Sequence, residues 1–373
     1  MRLVYFSPVP WASFAQRPHK FVDWFHRRFA GHVLWVEPYP GRLPRIEDFR
    51  RPSLGRDFSS SASPPWLRII RVKAIPLEPI PLLGEVNRWL WRDVVSQVAT
   101  FVEGEGALIV IAKPSKLAVE VVGKCSGVRT VYDAMDDFPM FYSGLSRWMM
   151  GRMEAELFTR SDAVWCSSQA LHDRIRAVRS DVILVPNALD RDMVSGNSSA
   201  SGSGSNGKRV FGYVGTIGTW FDWPWVMALA SHFTRDEIRL IGPAHVPPPT
   251  PLPRNIRLLP ACDQKAAIDE MRAFDVGLIP FSVNELTASV DPVKYYEYRG
   301  LGLPVVSTPF GEMSLRATEP GVFLSHDHGD IPDVMASAMR YCDNEEHVGA
   351  FCESNNWQRR FDEAWASSTL PQG

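Results

Sequence analysis

Cysteine is scarce in this chain and nowhere paired in sequence. The 373 residues hold five, Cys125, Cys166, Cys262, Cys342 and Cys352, with no CxxC among them. That spacing argues against a disulfide frame, a zinc site or a catalytic cysteine, and it suits reduced thiols in a reducing compartment. Apolar runs are short, and none approaches the roughly 18 residues of a membrane span. Met1-Arg-Leu-Val-Tyr-Phe-Ser-Pro8 lacks the layout of a signal peptide and reads as a strand, so a cytoplasmic protein is expected. No GxxxxGK(S/T) P-loop, helix-turn-helix or zinc motif occurs, and no nucleic-acid partner is expected. What the chain does have is bulk: 45% hydrophobic and 22% charged residues describe a globular protein too long for one typical core, hence two domains. Charge is uneven. Residues 1–100 carry 15 Lys/Arg against 8 Asp/Glu, a net +7, which leaves −9 for the remainder. A basic, tryptophan-rich first part suits a solvated surface, an anionic membrane or an anionic substrate.

Short apolar runs alternating with helical periodicity predict a doubly wound parallel sheet, an α/β fold. Strands are expected at Leu3–Phe6, Val33–Val36, Ile69–Val72, Ala107–Ala112, Arg129–Tyr132, Ala163–Ser168 and Val182–Val185, with helices at Lys20–Arg28, Leu82–Val102 and Ser146–Thr159. Residues 38–65, rich in Pro, Arg and Ser, read as a long excursion. Within Leu82–Val102, Trp89-Leu-Trp91 lies between Arg88 and Arg92, a pattern open to core packing or membrane contact. Residues 195–208 are small and polar and read as a flexible linker. The pattern then restarts, with strands at Val210–Val214, Ile238–Ile241, Ile256–Leu259, Asp275–Phe281, Pro304–Ser307 and Val322–Ser325, a helix at Ala266–Phe274, and a final helix over Glu345–Ser367.

Carboxyl ends of parallel strands are where ligands bind. After the first strand come Arg17, His19 and Lys20, with His19 readable as structural or functional. After the fifth come Asp133, Asp136 and Asp137, of which Asp136 or Asp137 is the candidate base; helix capping and a structural acceptor are the alternatives for the others. A metal reading of the Asp-Asp pair lacks further ligands nearby. Gly212, Gly215 and Gly218 follow the first strand of the second half, with Asp222 before a helix whose N-terminus could face an anion. The spacing is not GxGxxG. In Asp291-Pro-Val-Lys-Tyr-Tyr-Glu297, Lys294 and Glu297 share a helix face, either as a surface ion pair or as a phosphate contact beside a ribose acceptor.

Two Rossmann-like halves, Pro186-Asn-x-x-Asp190, the loop Tyr213-Val-Gly-Thr-Ile-Gly-Thr-Trp-Phe-Asp222, Tyr132-Asp-Ala-Met-Asp-Asp137, and Asp291-Pro-x-Lys-x-x-Glu-Tyr-x-x-x-Gly-x-Pro-Val-Val306 together resemble GT-B glycosyltransferases. The likeness is to bacterial polysaccharide enzymes of the teichuronic acid and xanthan glucuronosyltransferase type. The resemblance implies two Rossmann-like domains whose parallel sheets face across a cleft. It divides the chain into an acceptor domain (1–194), a linker (195–208), a donor domain (209–344) and a terminal helix packing back on the first domain (345–373). It also implies a nucleoside-diphosphate sugar donor, a saccharide or lipid-linked acceptor, no cofactor and no metal, and peripheral contact with the cytoplasmic face of the membrane. Donor contacts would come from Gly215, Thr216, Gly218, Asp222, Asp291, Lys294 and Glu297, and Asp136 or Asp137 would be the base. Arg17 and His19 would lie toward the acceptor. The retaining pattern places a second glutamate eight residues before the ribose-binding one; Ser289 stands there, which points to inversion. A nucleotide-sugar epimerase and a non-catalytic nucleotide-sugar-binding assembly protein are the alternatives.

Overall fold

The computed structural model describes residues 1–39, 63–75, 84–104, 106–194, 207–368 and 370. Most of the expected excursion over 38–65 and of the expected linker over 195–208 lies outside the described residues. The backbone divides into two units, Met1–Val185 with Phe361–Gly373, and Pro186–Arg360. The division falls nine residues before the expected boundary at 194, because the chain leaves the first sheet at Val185 and the stretch from Pro186 already belongs to the second unit.

The first unit is built on β1 (Arg2–Phe6), β2 (His32–Val36), β3 (Leu67–Ile70), β4 (Ala107–Ile111), β5 (Arg129–Ala134), β6 (Ala163–Cys166) and β7 (Val182–Leu184), ordered β3-β2-β1-β4-β5-β6-β7. Neighbours run parallel; Leu3 lies opposite Val33 and Leu108. Helices are α1 (Arg17–Phe29), α2 (Gly84–Val102), α3 (Lys116–Lys124), α4 (Gly144–Arg160) and α5 (Gln169–Arg176). Every residue of β4 is buried, as a strand covered by helices on both faces requires. β3 lies two residues earlier than expected, because its register on β2 pairs Val33 with Leu67 and Val36 with Ile70. α1 begins three residues early. Pro18 suits its first turn and the Gln16 amide donates to Nδ1 of His19. Trp91, Val94, Val95, Val98 and Val102 of α2 are buried in the core, so the apolar face of this helix packs on the sheet, while Trp89 points to solvent.

The second unit has β8 (Val210–Val214), β9 (Glu237–Ile241), β10 (Ile256–Leu259), β11 (Val276–Ile279), β12 (Val305–Ser307) and β13 (Val322–Leu324) in the order β10-β9-β8-β11-β12-β13, again parallel. Its helices are α6 (Arg191–Val194), α7 (Trp223–His232), α8 (Gln264–Arg272), α9 (Val293–Gly300), α10 (Ile331–Arg340) and α11 (Glu345–Ser354). The single helix expected over 345–367 is two: α11 and α12 (Trp357–Ser367). They part at Asn355-Asn356, where the Asn355 carbonyl accepts from the Leu189 amide, the Trp357 amide donates to the Leu189 carbonyl, and the Asn356 side chain caps the Arg359 amide at 2.9 Å.

From Phe361 onward the chain completes the first unit. Phe361 sits 5.1 Å from the Phe21 ring, Trp365 lies 5.6 Å from Trp24 and 5.0 Å from Phe29, and the Trp165 indole donates to Ser368 Oγ. Such aromatic packing adds to the area it buries.

Candidate active site

In the second unit, α9 begins where the loop after β11 turns at Asp291-Pro292. Lys294 and Glu297 lie on one face of its first turns, and the ammonium pairs with Glu297 Oε2. Glu297 is 7% exposed, yet Lys294 is the one polar partner of its carboxylate among the described residues. α9 is fixed to the sheet by Tyr298, whose buried hydroxyl accepts from the Val214 amide at 3.1 Å and donates toward the Gly212 carbonyl at 3.4 Å. Tyr298 therefore ties the Lys294–Glu297 turn to the strand feeding the loop at Gly215. The periodicity hides this: in Tyr295-Tyr-Glu-Tyr298 three tyrosines look alike, and only the packing separates them.

The glycines of that loop serve the fold first. A Cβ at Gly212 would meet the Phe274 ring at 2.1 Å, and one at Gly218 the Trp220 ring at 2.6 Å. Gly215 passes against Gly242, where a Cβ would lie 2.2 Å from the Gly215 carbonyl oxygen. Thr216 presents its carbonyl to the Tyr213 hydroxyl at 2.9 Å. Asp222 caps α7, accepting from the Trp225 amide at 3.0 Å. The helix N-terminus expected to face an anion is thus already served by the carboxylate of Asp222.

Asp291, expected among the donor contacts, is instead committed within the unit. Its carboxylate accepts from the Asn187 amide at 2.7 Å, from the Tyr296 hydroxyl at 3.0 Å and from Arg316 at 2.8 Å, with no side-chain surface exposed. Arg316 in turn lies 4.0 Å from the Tyr295 ring centroid. Burial is the largest single influence on Arg316 and works against its charge, but Asp291 together with Tyr296 and Tyr295 outweighs it and drives the guanidinium pKa up.

In the first unit, Arg17 and Asp133 form a bidentate buried pair, Nε to Oδ2 at 2.9 Å and Nη2 to Oδ1 at 2.7 Å, and Arg17 also donates to the Val185 carbonyl at 2.7 Å. His19 is equally occupied: Nδ1 accepts from the Gln16 amide at 3.3 Å, and Nε2 donates to the Trp11 carbonyl at 3.1 Å. Burial lowers its pKa to about 4, so the imidazole is neutral. The side chains of the two residues expected near the acceptor are therefore held by partners within the first unit, and the pairing of Arg17 with Asp133 occupies the one of the three carboxylates that lies in β5 itself.

The other two differ. Burial pushes the Asp136 carboxyl up to about 7; Arg17 opposes this, while Asp133 and Asp137 reinforce it. Asp137 is raised by burial and pulled down by Arg174 and Arg147. Arg174 Nη2 stands 3.7 Å from Asp137 Oδ1, and its Nη1 donates to buried Glu154 at 2.8 Å, which also accepts from the Tyr132 hydroxyl at 3.0 Å. Arg174 and Glu154 escaped the sequence reading because they lie on helices, away from the strand ends where ligands were sought. Among the described residues no group of three or more His, Cys, Asp or Glu is placed to hold a metal ion, and no helix is long and apolar enough to cross a membrane.

No family model matches the chain. A Bacillus subtilis (strain 168) protein named "Putative teichuronic acid biosynthesis glycosyltransferase TuaH" is 25% identical over 223 residues, 55% of this chain and 56% of that protein. The chain thus matches little more than half the length of that curated relative. Among solved structures, an E. coli trehalose-6-phosphate structure bound with UDP-2-fluoro glucose superposes with a TM-score of 0.64 at 12% identity, covering 100% of both chains. The catalytic domain of starch synthase IV from Arabidopsis thaliana, bound to ADP and acarbose, gives a TM-score of 0.61 at 11% identity over 98% of each. At such identity the likeness is one of fold, and the architecture, two parallel Rossmann-like units, is the GT-B fold of those glycosyltransferases.

Proposed function

We propose that the protein is a glycosyltransferase that moves a sugar from a nucleoside-diphosphate donor to a saccharide or lipid-linked acceptor in the assembly of a bacterial surface polysaccharide. The observation that carries the reading is Glu297: a nearly buried carboxylate held by the fold through its helix, with one exchangeable lysine as its partner. A carboxylate so placed accepts hydrogen bonds from a ribose diol, and Lys294, released from it, moves to the diphosphate. The relative named for teichuronic acid biosynthesis supports the polysaccharide role.

Asp136 is the base in this reading. With a pKa near neutrality it can take a proton from the acceptor hydroxyl at physiological pH. The hydroxyl oxygen then bonds to the anomeric carbon, the bond to the diphosphate oxygen breaks with its electron pair, and the proton ends on Asp136. Configuration inverts. Lys294 offsets the charge that develops on the departing diphosphate, so the step as drawn calls on no metal. Ser289, where the retaining pattern has a glutamate, supports inversion.

The test is thermal denaturation with UDP, GDP, dTDP or CMP, without added metal, for the wild type and Glu297→Ala. One nucleotide raising the wild-type midpoint by several degrees and failing to raise that of the variant would support the donor site. No shift at millimolar concentration would remove it.

A further inference from the structure

The strand order of the first unit reverses between β1 and β4: β2 and β3 lie to one side, and β5, β6 and β7 to the other. At such a reversal a doubly wound sheet opens a crevice outside the carboxyl ends of its strands. A cleft of about 350 Å³, part of it solvent at the mouth, lies there. Its polar lining is Ser7 after β1, Glu37 after β2, and Lys113 and Ser115 after β4, and Met150 of α4 forms part of its wall.

Two of these four groups are committed to the fold. Ser7 Oγ donates to the Val9 carbonyl at 2.7 Å and accepts from the Val9 amide at 3.1 Å. Glu37 accepts from the Trp11 amide at 3.4 Å through Oε1, and its Oε2 stands 3.6 Å from Arg71 Nε. Ser115 differs. It is 9% exposed and its oxygen accepts from the Ala118 amide at 3.1 Å, but its O–H meets no acceptor among the described residues. Lys113 adds an ammonium group to the same wall. What the cleft offers an incoming group is thus a hydroxyl proton and a cation, and the group that matches them brings acceptor oxygens and negative charge. The helix end is not the attraction, since the Leu117 amide of α3 donates to the Tyr39 hydroxyl at 3.3 Å and the Ala118 amide to Ser115. Yet α3 opens on Lys116 and has no acidic residue in its first turn, the reverse of what the helix dipole favours. A bound anion relieves that arrangement.

We infer that the cleft at Lys113 and Ser115 binds an anionic group, a carboxylate or a phosphate monoester, carried by the acceptor sugar. The acceptor meant is that of the proposed function, on which the assignment rests, and it gains an acid group that the proposal left open. At the lower end of the roughly 300–1,000 Å³ of ligand sites, the cleft takes the acid group and leaves the sugar ring at its mouth. The candidate base belongs to the same edge. β5 lies beside β4 with Ile111 opposite Tyr132, so Lys113–Ser115 and Asp136-Asp137 leave neighbouring strands at the same edge of the sheet. Met150 joins the two stretches, lining the cleft and clustering with Phe138, the residue after Asp137.

The experiment is saturation-transfer NMR of the full chain with glucuronate, glucose 1-phosphate, glucose and inorganic phosphate, each at millimolar concentration. Variants are Lys113→Gln, Lys113→Arg, Ser115→Asp and, as a control on exposed Lys124 at the far end of α3, Lys124→Gln. Ser115→Asp keeps a helix-capping side chain while turning a carboxylate toward the anion. Glucuronate or glucose 1-phosphate should bind the wild type and glucose should not; which of the two binds tells a carboxylate from a phosphate. Lys113→Gln and Ser115→Asp should each weaken that binding about tenfold or more, whereas Lys113→Arg and Lys124→Gln should keep it within about threefold. Glucose binding as well as the acids, inorganic phosphate binding as well as glucose 1-phosphate, acid binding untouched in both Lys113→Gln and Ser115→Asp, or no binding of either acid would each overturn the inference. Nucleotide-induced stabilisation of the same samples reports the second unit separately. If it persists while neither acid binds, the cleft assignment alone fails; if acids bind as expected while every nucleotide leaves the midpoint unmoved, the donor site fails and the cleft stands as a site for acidic sugars.

Discussion

Asn187 and Asp291 are 104 residues apart in the chain and grip each other twice: the Asn187 amide donates to the Asp291 carboxylate and the Asn187 side-chain amide donates to the Asp291 carbonyl, both at 2.7 Å. The same carboxylate neutralises buried Arg316. Two stretches that stand apart in sequence, Pro186-Asn and Asp291-Pro, are one piece of structure at the head of α9. Asp291→Asn leaves buried Arg316 with only the half-exposed Glu319 carboxylate, 3.8 Å from its Nε, as counterion, at a cost of about 3 kcal/mol, whereas Arg27→Ala, which breaks an exposed pair with Asp23 on α1, costs less than about 1 kcal/mol. Denaturant titration of the two variants measures the contrast, and equal losses would contradict it.

Glu297→Ala should melt close to the wild type in buffer, since the change removes a carboxylate whose described contact is one lysine. With the preferred nucleoside diphosphate the wild type should gain several degrees and the variant almost none. Retained stabilisation in the variant would take the ribose contact away from Glu297.

Asp222→Ala separates a cap from a ligand contact. Loss of the bond to the Trp225 amide should lower stability by about 1 kcal/mol. Nucleotide affinity should stay within about twofold, because the carboxylate already serves its own helix. An affinity loss of tenfold would instead mark Asp222 as a donor contact.

Asp136 gives two signatures in pH. If it is the base, kcat/KM should rise as pH passes through about 7, and Asp136→Asn should abolish that limb along with most of the activity. In stability the sign is reversed. The folded pKa lies above the ordinary carboxylate value, so the folded state holds more protons than the unfolded one between about pH 4 and 7, and the wild type loses stability relative to Asp136→Asn as pH rises through that window. Parallel melting curves across the window would rule out the raised carboxyl.

His19 should act in the opposite sense. Its folded pKa of about 4 lies below that of a free imidazole, so the stability it contributes is complete above about pH 6.5 and drains away as pH falls toward 4. The melting-temperature gap between wild type and His19→Gln should therefore narrow on acidification. A gap independent of pH would mean the ring is not held neutral by burial.

The layered fold was legible because a strand buried on both faces writes itself as an uninterrupted apolar run, and Ala107–Ile111 is such a run. The turn at Lys294–Glu297 was legible because its spacing survives as sequence. Helix α3 went unread: Lys116–Lys124 is short and three of its nine residues are valine, a β-branched residue that favours strands, and its start rests on Ser115 accepting from the Ala118 amide. Polarity in sequence does not show availability. Arg17 and Asp133 pair with each other across 116 residues and Asp291 holds Asn187 across 104, partners that no local pattern reveals, while His19 is held locally by Gln16 and Trp11. Asp136 and Asp137 are identical residues side by side; burial raises both, but Asp137 is pulled back by Arg174 and Arg147, whereas at Asp136 the pull of Arg17 is met by the neighbouring carboxylates Asp133 and Asp137.

The aromatic contacts of Phe361 and Trp365 with α1 bear on how the chain is made. Synthesis proceeds from the amino end, so the ribosome completes all of residues 186–360 before the last pieces of the first unit emerge. Until then Phe21, Trp24 and Phe29 lack the rings that cover them, and the Trp24 indole lacks the Asp362 carboxylate it donates to at 3.1 Å. The second unit, continuous in sequence, can fold first, and the nascent first unit waits with an open aromatic seam, the kind of surface that chaperones hold and that aggregates when they do not.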